Sequence, residues 1–278
     1  MIIYNELKKS GYKDLESLSC QCKICKEEAT LFDVVDFNKA ILDSFYLKDM
    51  LTGVPVHYYQ CSNCKLIFSK NFDNFCSNDW IKFIYNEDYF KLLDTDYKYI
   101  RPMYHARLIM SMIGKNKKDF KCLDYGGGNG ALTNLLNENG YNFVSYDPYD
   151  VQDIDVNSSE KFNLISCFEV LEHAADPLAT LIELFQFGTE DSIYIASTQL
   201  SDNFCDHEKR CGWSYVAPRN GHVTIFSQKT MNFISEKFGL NYFKIGNGLH
   251  LFSKSNHLLS YRNKAVFFKV LERLNLRK

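Results

Sequence analysis

Lys121 to Ala131 reads Lys-Cys-Leu-Asp-Tyr-Gly-Gly-Gly-Asn-Gly-Ala, and no other stretch limits the fold so tightly. An apolar run ends in an acid, four glycines fill five positions, and Leu132-Thr133-Asn134-Leu135-Leu136 follows at helical spacing. The order predicted is strand, tight turn, helix. Glycine is needed where the backbone takes positive φ or lies directly against a ligand. A turn that ends at a helix N-terminus presents N–H groups and the positive end of the helix dipole. The stretch therefore predicts a cradle for a nucleotide-like ligand.

From Phe120 onward the chain alternates between the two periods. Strands are predicted at 120–124, 142–147, 162–168, 192–197, about 222–227 and about 241–252, and helices at about 130–139, 175–186 and 228–238. Such alternation specifies an α/β sheet covered on both faces. Residues 78–114 read as helical, with Pro102 suited to a first turn. Residues 31–52 show no clear period, and Gly53-Val54-Pro55 marks a turn. The segment 257–276 sets Leu258, Leu259, Val266, Phe267, Val270, Leu271 and Leu274 among basic residues, which predicts a docked amphipathic helix.

A hydrophobic fraction of 46% over 278 residues supports a sizeable core. The net charge of −2 gives no polycation signature, so a nucleic-acid partner is disfavoured. Neither a run of 18 apolar residues nor a basic-then-apolar start is present, which predicts no membrane span and no signal peptide. A cytosolic protein is expected, in which the ten cysteines are thiols or metal ligands.

Two of those cysteine groupings have ligand spacing. Cys22-Lys-Ile-Cys25 and Cys61-Ser-Asn-Cys64 are each C-x-x-C, the spacing that lets two thiolates of one turn reach one tetrahedral ion. The second pair interrupts a β-rich run, Val56 to Phe68, as in a zinc ribbon. Zn²⁺ on Cys22, Cys25, Cys61 and Cys64 is expected, and four protein ligands imply a structural role. Cys20 and His57 are near enough in sequence to substitute. Cys122 and Cys167, inside predicted strands, read as small buried hydrophobes.

The glycine turn admits two ligands. Gly126, Gly128 and Ala131 satisfy the dinucleotide pattern G-x-G-x-x-G/A, with Asp147 near the distance of a ribose-binding acid. Three features favour another reading. Asp124 and Gly130 extend the pattern to D-x-G-x-G-x-G, Asp147-Pro148 closes the second strand, and the strand 162–167 runs into Phe168-Glu169-Val170-Leu171-Glu172-His173, followed by Asp176-Pro177. Together these residues resemble the class I S-adenosylmethionine-dependent methyltransferases over roughly residues 95–255. The resemblance implies a Rossmann-like sheet in which Gly126, Gly128 and Gly130, with Asp124 ahead of them, hold the amino-acid part of the cofactor. It implies that Asp147 takes both ribose hydroxyls and that Cys167 to Glu169 line the methionine side. Tyr99 and Arg101 are candidates for the cofactor carboxylate by position. One departure stands out: only 14 residues separate Asp147 from Phe162. The family usually fits a further helix and strand there, and Asp153 or Asp155 would have to serve the adenine.

The stretch from Trp213 to Ser227, after the fifth strand, resembles a loop of bacterial methyltransferases of surface-polysaccharide and other glycan pathways. It holds a cation, an amide, a possible base and two aromatics, which suits a polar, sugar-like or phosphorylated acceptor. Trp213, Tyr215, Arg219 and Asn220 are the substrate-binding candidates. His222 and His173 are the candidate bases. The same residues also read as a plain turn, with His222 packed inside the sheet.

The expected organisation is a zinc-binding module at 1–75, a helical connection at 76–115, a Rossmann-like catalytic domain at 116–256 and a C-terminal helix at 257–278. The expected activity is O-methylation of a small polar acceptor. C-methylation of a keto-sugar, RNA methylation, nicotinamide-dependent redox chemistry and a non-catalytic zinc module are the alternatives.

Overall fold

A computed structural model of the chain describes residues 2–41, 51–114, 119–148, 159–255 and 258–275. In chain order the strands are β1 (Ser19–Gln21), β2 (Glu28–Asp36), β3 (Pro55–Cys61), β4 (Ile67–Ser69), β5 (Cys122–Tyr125), β6 (Phe143–Tyr146), β7 (Phe162–Phe168), β8 (Gly188–Ser197), β9 (Thr224–Ile225), β10 (Asn241–Ile245) and β11 (Leu249–Ser253). The α-helices are α1 (Ile2–Lys9), α2 (Ser77–Phe83), α3 (Ile100–Ile113), α4 (Ala131–Glu138), α5 (Pro177–Gln186), α6 (Gln228–Phe238) and α7 (Leu258–Asn275). They fall into two units. The first comprises Met1–Thr95, Leu171–Thr180 and Gln199–Ile234, and the second Asp96–Val170, Leu181–Thr198 and Ser235–Lys278.

The first unit is built on an antiparallel sheet in the order β1-β2-β3-β4-β9. Its core gathers Val56, Tyr58, Ile67, Phe72, Trp80, Val223 and Ile225. Strand β2 lies where the sequence shows no period. A register shift between Leu31 and Asp33 explains this, because an extra residue flips the alternation partway along the strand. The predicted strand at about 222–227 is only two residues long. It pairs Thr224 and Ile225 with Phe68 and Ile67, so it joins this sheet and not the parallel one. The helical stretch 78–114 is three pieces: α2, a π-helical turn at Tyr89–Leu93, and α3, which belongs to the second unit.

The second unit carries a six-stranded sheet in the order β10-β11-β8-β7-β5-β6. Strands β6, β5, β7 and β8 run parallel. Central β5 is buried throughout, as parallel strands covered on both faces are. The predicted strand at about 241–252 is a hairpin, β10 and β11, turning at Gly246 with φ +66°. Leu108, Met112, Leu136, Leu164, Ile195, Leu251 and Phe268 form the core. Helix α7 docks through Ala265 and Phe268, while Phe267 is 65% exposed. Among the described residues β6 is an edge strand. Asp153 and Asp155, proposed for the adenine, lie outside the described residues, as do the side chains of Leu258, Leu271 and Leu274.

Candidate active site

The parallel sheet has a switch point. From β5 the chain moves to β6 on one side and to β7 on the other, and crevices at such points are where α/β sheets bind ligands. Three loops meet the carboxyl ends of those strands. The glycine turn follows β5, Asp147 follows β6 and Glu169 follows β7.

Each glycine answers a separate demand. Gly126, Gly128 and Gly130 have φ of +73°, +52° and +72°. A Cβ on Gly126 would lie 2.3 Å from Val170 Cγ2, and one on Gly127 would lie 2.2 Å from Ser145 Oγ, so internal packing fixes both. A Cβ on Gly130, the N-cap of α4, would meet nothing closer than 4.0 Å, and the first N–H of the helix, that of Ala131, is taken by Asn129 Oδ1 at 3.1 Å. The N–H of Gly128 donates to Asp147 Oδ2 at 3.0 Å, turning that carboxylate toward the glycines. Tyr97, which sequence reasoning missed, buttresses the turn: its hydroxyl accepts from the N–H of Asn129 at 3.2 Å.

Asp124 does different work from the cradle residues. It is buried beneath the turn and accepts from Ser166 Oγ at 2.7 Å. Burial pushes its carboxyl up to about 7, against the hydrogen bond from Ser166 and with added repulsion from Asp147. This group braces the turn from below.

Glu169 sits at φ +56°, a left-handed conformation that non-glycine residues rarely hold and that concentrates at functional sites. Ser197 over-determines it. The serine hydroxyl donates to Glu169 Oε1 at 2.6 Å and accepts from the Glu169 N–H at 2.9 Å. Arg101 Nη1 lies 3.8 Å from Glu169 Oε2, so the guanidinium expected to meet a cofactor carboxylate faces the site's own acid. Tyr99 is 73% exposed at the start of α3, and Cys167 is buried within β7. Ser197 was not legible as a partner because the pair is made across β7 and β8, 28 residues apart.

The residues fit a methyl-donor nucleotide. Two carboxylates stand at strand ends on either side of the glycine turn, Asp147 after β6 and Glu169 after β7, with β5 between them. One suits a pair of ribose hydroxyls and the other a cationic amino-acid moiety. A parallel sheet with this switch-point cradle defines an α/β enzyme that binds a nucleotide-type cofactor. The sequence matches the family model described as "Methyltransferase domain" over residues 97–245, more than half of the chain. The chain thus belongs to the methyltransferase-domain family, and it is an S-adenosylmethionine-dependent methyltransferase.

No curated protein matches the sequence. Among solved structures, the chain resembles PH0226 from Pyrococcus horikoshii OT3 at 14% identity and a TM-score of 0.41, covering 60% of this chain and 97% of that one. It resembles the magnesium protoporphyrin IX methyltransferase of Synechocystis PCC 6803, solved with bound SAH, at 16% identity and 0.41, with the same two coverages of 60% and 97%. An O-methyltransferase family protein from Burkholderia thailandensis aligns at 10% identity and 0.45, over 63% of this chain and 64% of that one. At TM-scores below 0.5 these likenesses add nothing to the family assignment.

In the first unit the two cysteine pairs come together. Strand β2 pairs with β3 so that Ala29 faces Cys61, and this register sets the turn after β1 beside the turn after β3. Each turn ends in a left-handed lysine, Lys26 at φ +65° and Lys65 at φ +63°. Cys22 Sγ lies 3.6 Å from Cys64 Sγ, and Cys25 Sγ lies 3.3 Å from Cys61 Sγ. All four sulfurs fall within 4.8 Å of one another. A tetrahedral ion with zinc–sulfur bonds of about 2.3 Å sets its sulfurs roughly 3.8 Å apart, so the donor set fits. The contact with Cys64 holds the Cys22 thiol well below the usual cysteine range, while burial pushes Cys61 above it. His57 takes no part, since its Nδ1 lies 3.2 Å from Asn71 Nδ2.

The Trp213–Ser227 stretch is also described in the first unit. Pro218–Asn220 form a 3-10 turn closed by Gly221 at φ +82°. Arg219, expected to bind a phosphate, is buried, donating to the Ile84 carbonyl at 2.9 Å and to Asn86 Oδ1 at 3.0 Å. Asn220, expected to bind substrate, is buried too, and its Oδ1 accepts from the Ile41 N–H at 2.9 Å. Both side chains spend these groups on holding their own loop. The plain-turn reading describes them better, because the pattern of residue types could not reveal which partners lay 130 or more residues upstream. Trp213 stacks between Phe204 and Tyr215, with centroids 4.4 and 5.0 Å away. His222 is buried, with Nδ1 2.8 Å from the Tyr215 carbonyl and its ring 4.9 Å from that of His173. Of the other histidines, His250 is tied to Thr198 O and Tyr242 Oη, both at 2.9 Å, inside the sheet of the second unit.

Proposed function

We propose that this enzyme methylates an oxygen of a small polar acceptor, a glycan, nucleotide sugar or phosphorylated metabolite. The observation that carries the donor half is the convergence of the glycine turn, Asp147 and Glu169 at three neighbouring strand ends. When bound, S-adenosylmethionine supplies an already activated methyl group, so the protein's task is alignment and removal of one proton. Asp147 and the α4 N-terminus bind and orient the donor, and Glu169, locked by Ser197, fixes its amino-acid end. Proton removal is assigned to the cluster of Glu172, His173 and His222. In neutral His222 the Tyr215 carbonyl can only accept, so Nδ1 carries the hydrogen and Nε2 keeps its lone pair. Trp213, the partly exposed aromatic of this stretch, is the acceptor-side platform in this reading. The four thiolates hold zinc as a structural ion, which supports a closed role away from chemistry.

Calorimetric titration with S-adenosylhomocysteine tests the donor half: saturable binding is expected, and none would sink the proposal. Incubation of acceptor panels with a deuterated methyl donor, followed by NMR of the product, tests the rest. A labelled methyl on oxygen is expected. Label on carbon would move the assignment to a keto-sugar C-methyltransferase.

A further inference from the structure

Glu172, His173 and His222 each bring one ligand atom to a common point in the first unit, all within 4.8 Å of one another. The main chain builds this meeting. The Val223 N–H donates to the Glu172 carbonyl at 2.9 Å, and Thr224 Oγ1 donates to the Ala174 carbonyl at 2.7 Å. Tyr58 Oη donates to the His222 carbonyl at 2.6 Å, pinning the residue from β3. These bonds stitch 222–224 alongside 172–174. Gly221 completes the fit: at φ +82°, a Cβ there would lie 3.0 Å from His173 Nδ1.

One residue orients two of the three groups. Tyr215 takes the Nδ1 hydrogen of His222 on its carbonyl at 2.8 Å and donates its hydroxyl to Glu172 Oε1 at 2.6 Å. Metal-bound imidazoles commonly hold their second nitrogen on a backbone carbonyl, and metal-bound carboxylates are commonly hydrogen-bonded through the other oxygen. His222 Nε2 is left in the ligand form. Glu172 and His222 are 0% and 3% exposed, and Glu172 Oε2 and His173 Nδ1 are themselves buried atoms. Two imidazoles and a carboxylate are the donor set of divalent first-row ions, zinc among them. Bonds of about 2.1 Å put the ligand atoms of a tetrahedral ion roughly 3.4 Å apart, inside the 4.8 Å limit within which these three atoms lie.

We propose that Glu172, His173 and His222 form a second metal site, holding a divalent first-row ion with a coordination position open to an oxygen ligand. It differs from the four-sulfur site in that openness. The inference deepens the proposed function and rests on it for one point only, that the oxygen ligand is the acceptor hydroxyl; with the ion in place the cluster removes the proton by acidifying the bound hydroxyl, and His222 Nε2 is a ligand and not the proton acceptor. Bound there, the hydroxyl would lose its proton to water, and its oxygen lone pair would then form a bond to the methyl carbon as that carbon's bond to the sulfonium breaks, the electron pair leaving on sulfur as the neutral thioether S-adenosylhomocysteine.

The test is metal binding by the full chain, without donor or acceptor. Plasma mass spectrometry of protein purified without added metal, combined with Co²⁺ titration of the apoprotein, should saturate at about two equivalents: one with thiolate charge-transfer absorption, one with nitrogen–oxygen ligand-field bands. His222→Gln and, at the half-buried position, His173→Gln should each remove the second equivalent alone, with circular dichroism unchanged. Tyr215→Phe, which keeps the carbonyl, should weaken the second site roughly tenfold or more. Saturation at one equivalent with a purely thiolate spectrum would overturn the inference. So would a His173→Gln/His222→Gln double variant that still holds two. Two equivalents in an enzyme that methylates no hydroxyl would leave the metal site standing and remove the proposed reaction instead.

Discussion

The cofactor cradle and the cysteine cluster solve opposite problems. The cysteine cluster is closed: four sulfurs from two short turns meet one another, and the sheet register Ala29–Cys61 brings them together. The cradle is open: three loops stop at neighbouring strand ends, and the space beside Gly130 holds no atom within 4.0 Å of where a Cβ would stand. A closed site stabilises its surroundings and tolerates little change. An open one gives up local stability for access. Glu169, a non-glycine residue at positive φ, is where the second unit carries that cost.

The largest effect expected separates the two sites outright. Structural zinc contributes folding free energy of about 10 kcal/mol or more in small modules, so Cys61→Ser/Cys64→Ser should abolish cooperative melting of the first unit. Differential scanning calorimetry with and without chelator reads this. Melting unaffected by both treatments would show that the closed site does no stabilising work. Asp147→Ala makes the reverse case. It should lower S-adenosylhomocysteine affinity by about 100-fold, two charge-assisted hydrogen bonds being worth roughly 3 kcal/mol or more, while leaving the melting temperature nearly unchanged. Unchanged affinity in calorimetry would remove Asp147 from the site.

How legible each site was follows from how it is built. The cysteine pairs and the glycine turn are contiguous motifs, and spacing alone exposes a contiguous motif. Strands β5 and β7 and the second half of β8 were equally plain because their burial is nearly continuous. What stayed hidden lies between distant segments. Arg219 looked like an acceptor residue because a cation in a loop beside aromatics suits phosphate. Its partners Ile84 and Asn86 come from a different stretch, and only tertiary structure places them there. Ser197 and Tyr97 were passed over for the same reason. Strand β2 escaped because a bulge broke its period, and β9 was given to the wrong sheet because a β-rich run does not name its neighbour.

The glycine turn offers a finer contrast within the cradle. Gly126→Ala places a Cβ against Val170 and should cost about 2–4 kcal/mol of stability by overpacking and backbone strain. Val170→Ala should partly rescue it. Gly130→Ala meets open space, so strain alone acts, about 1–2 kcal/mol, and no change at residue 170 should rescue it. Equal rescue of both by Val170→Ala would show that the packing contact does not define Gly126. Arg219→Lys is milder. A single ammonium cannot serve both the Ile84 carbonyl and Asn86 Oδ1 as the guanidinium fork does, so thermal stability should fall by about 1–2 kcal/mol. KM for the acceptor should not move. A raised KM at unchanged stability would return Arg219 to the substrate.

The last contrast concerns the brace under the turn. Asp124 has its carboxyl raised to about 7 chiefly by burial, above the 3.8 of an ordinary aspartate. The folded protein therefore binds this proton more tightly than the unfolded chain does. By linkage, the contribution of Asp124 to stability falls as pH rises from about 4 to about 7 and is level above that window. Asp124→Asn keeps an acceptor for the Ser166 hydroxyl and carries no charge, so it should remove this slope. Melting temperatures of the two proteins from pH 5 to 8 should converge at the acid end and separate at the neutral end, the variant becoming relatively more stable. A wild-type carboxylate that is ionised throughout, because the hydrogen bonds from Ser166 and Thr133 outweigh its desolvation, would leave the difference constant across the range. That result would mean the cradle rests on a fixed negative charge and not on a protonatable brace.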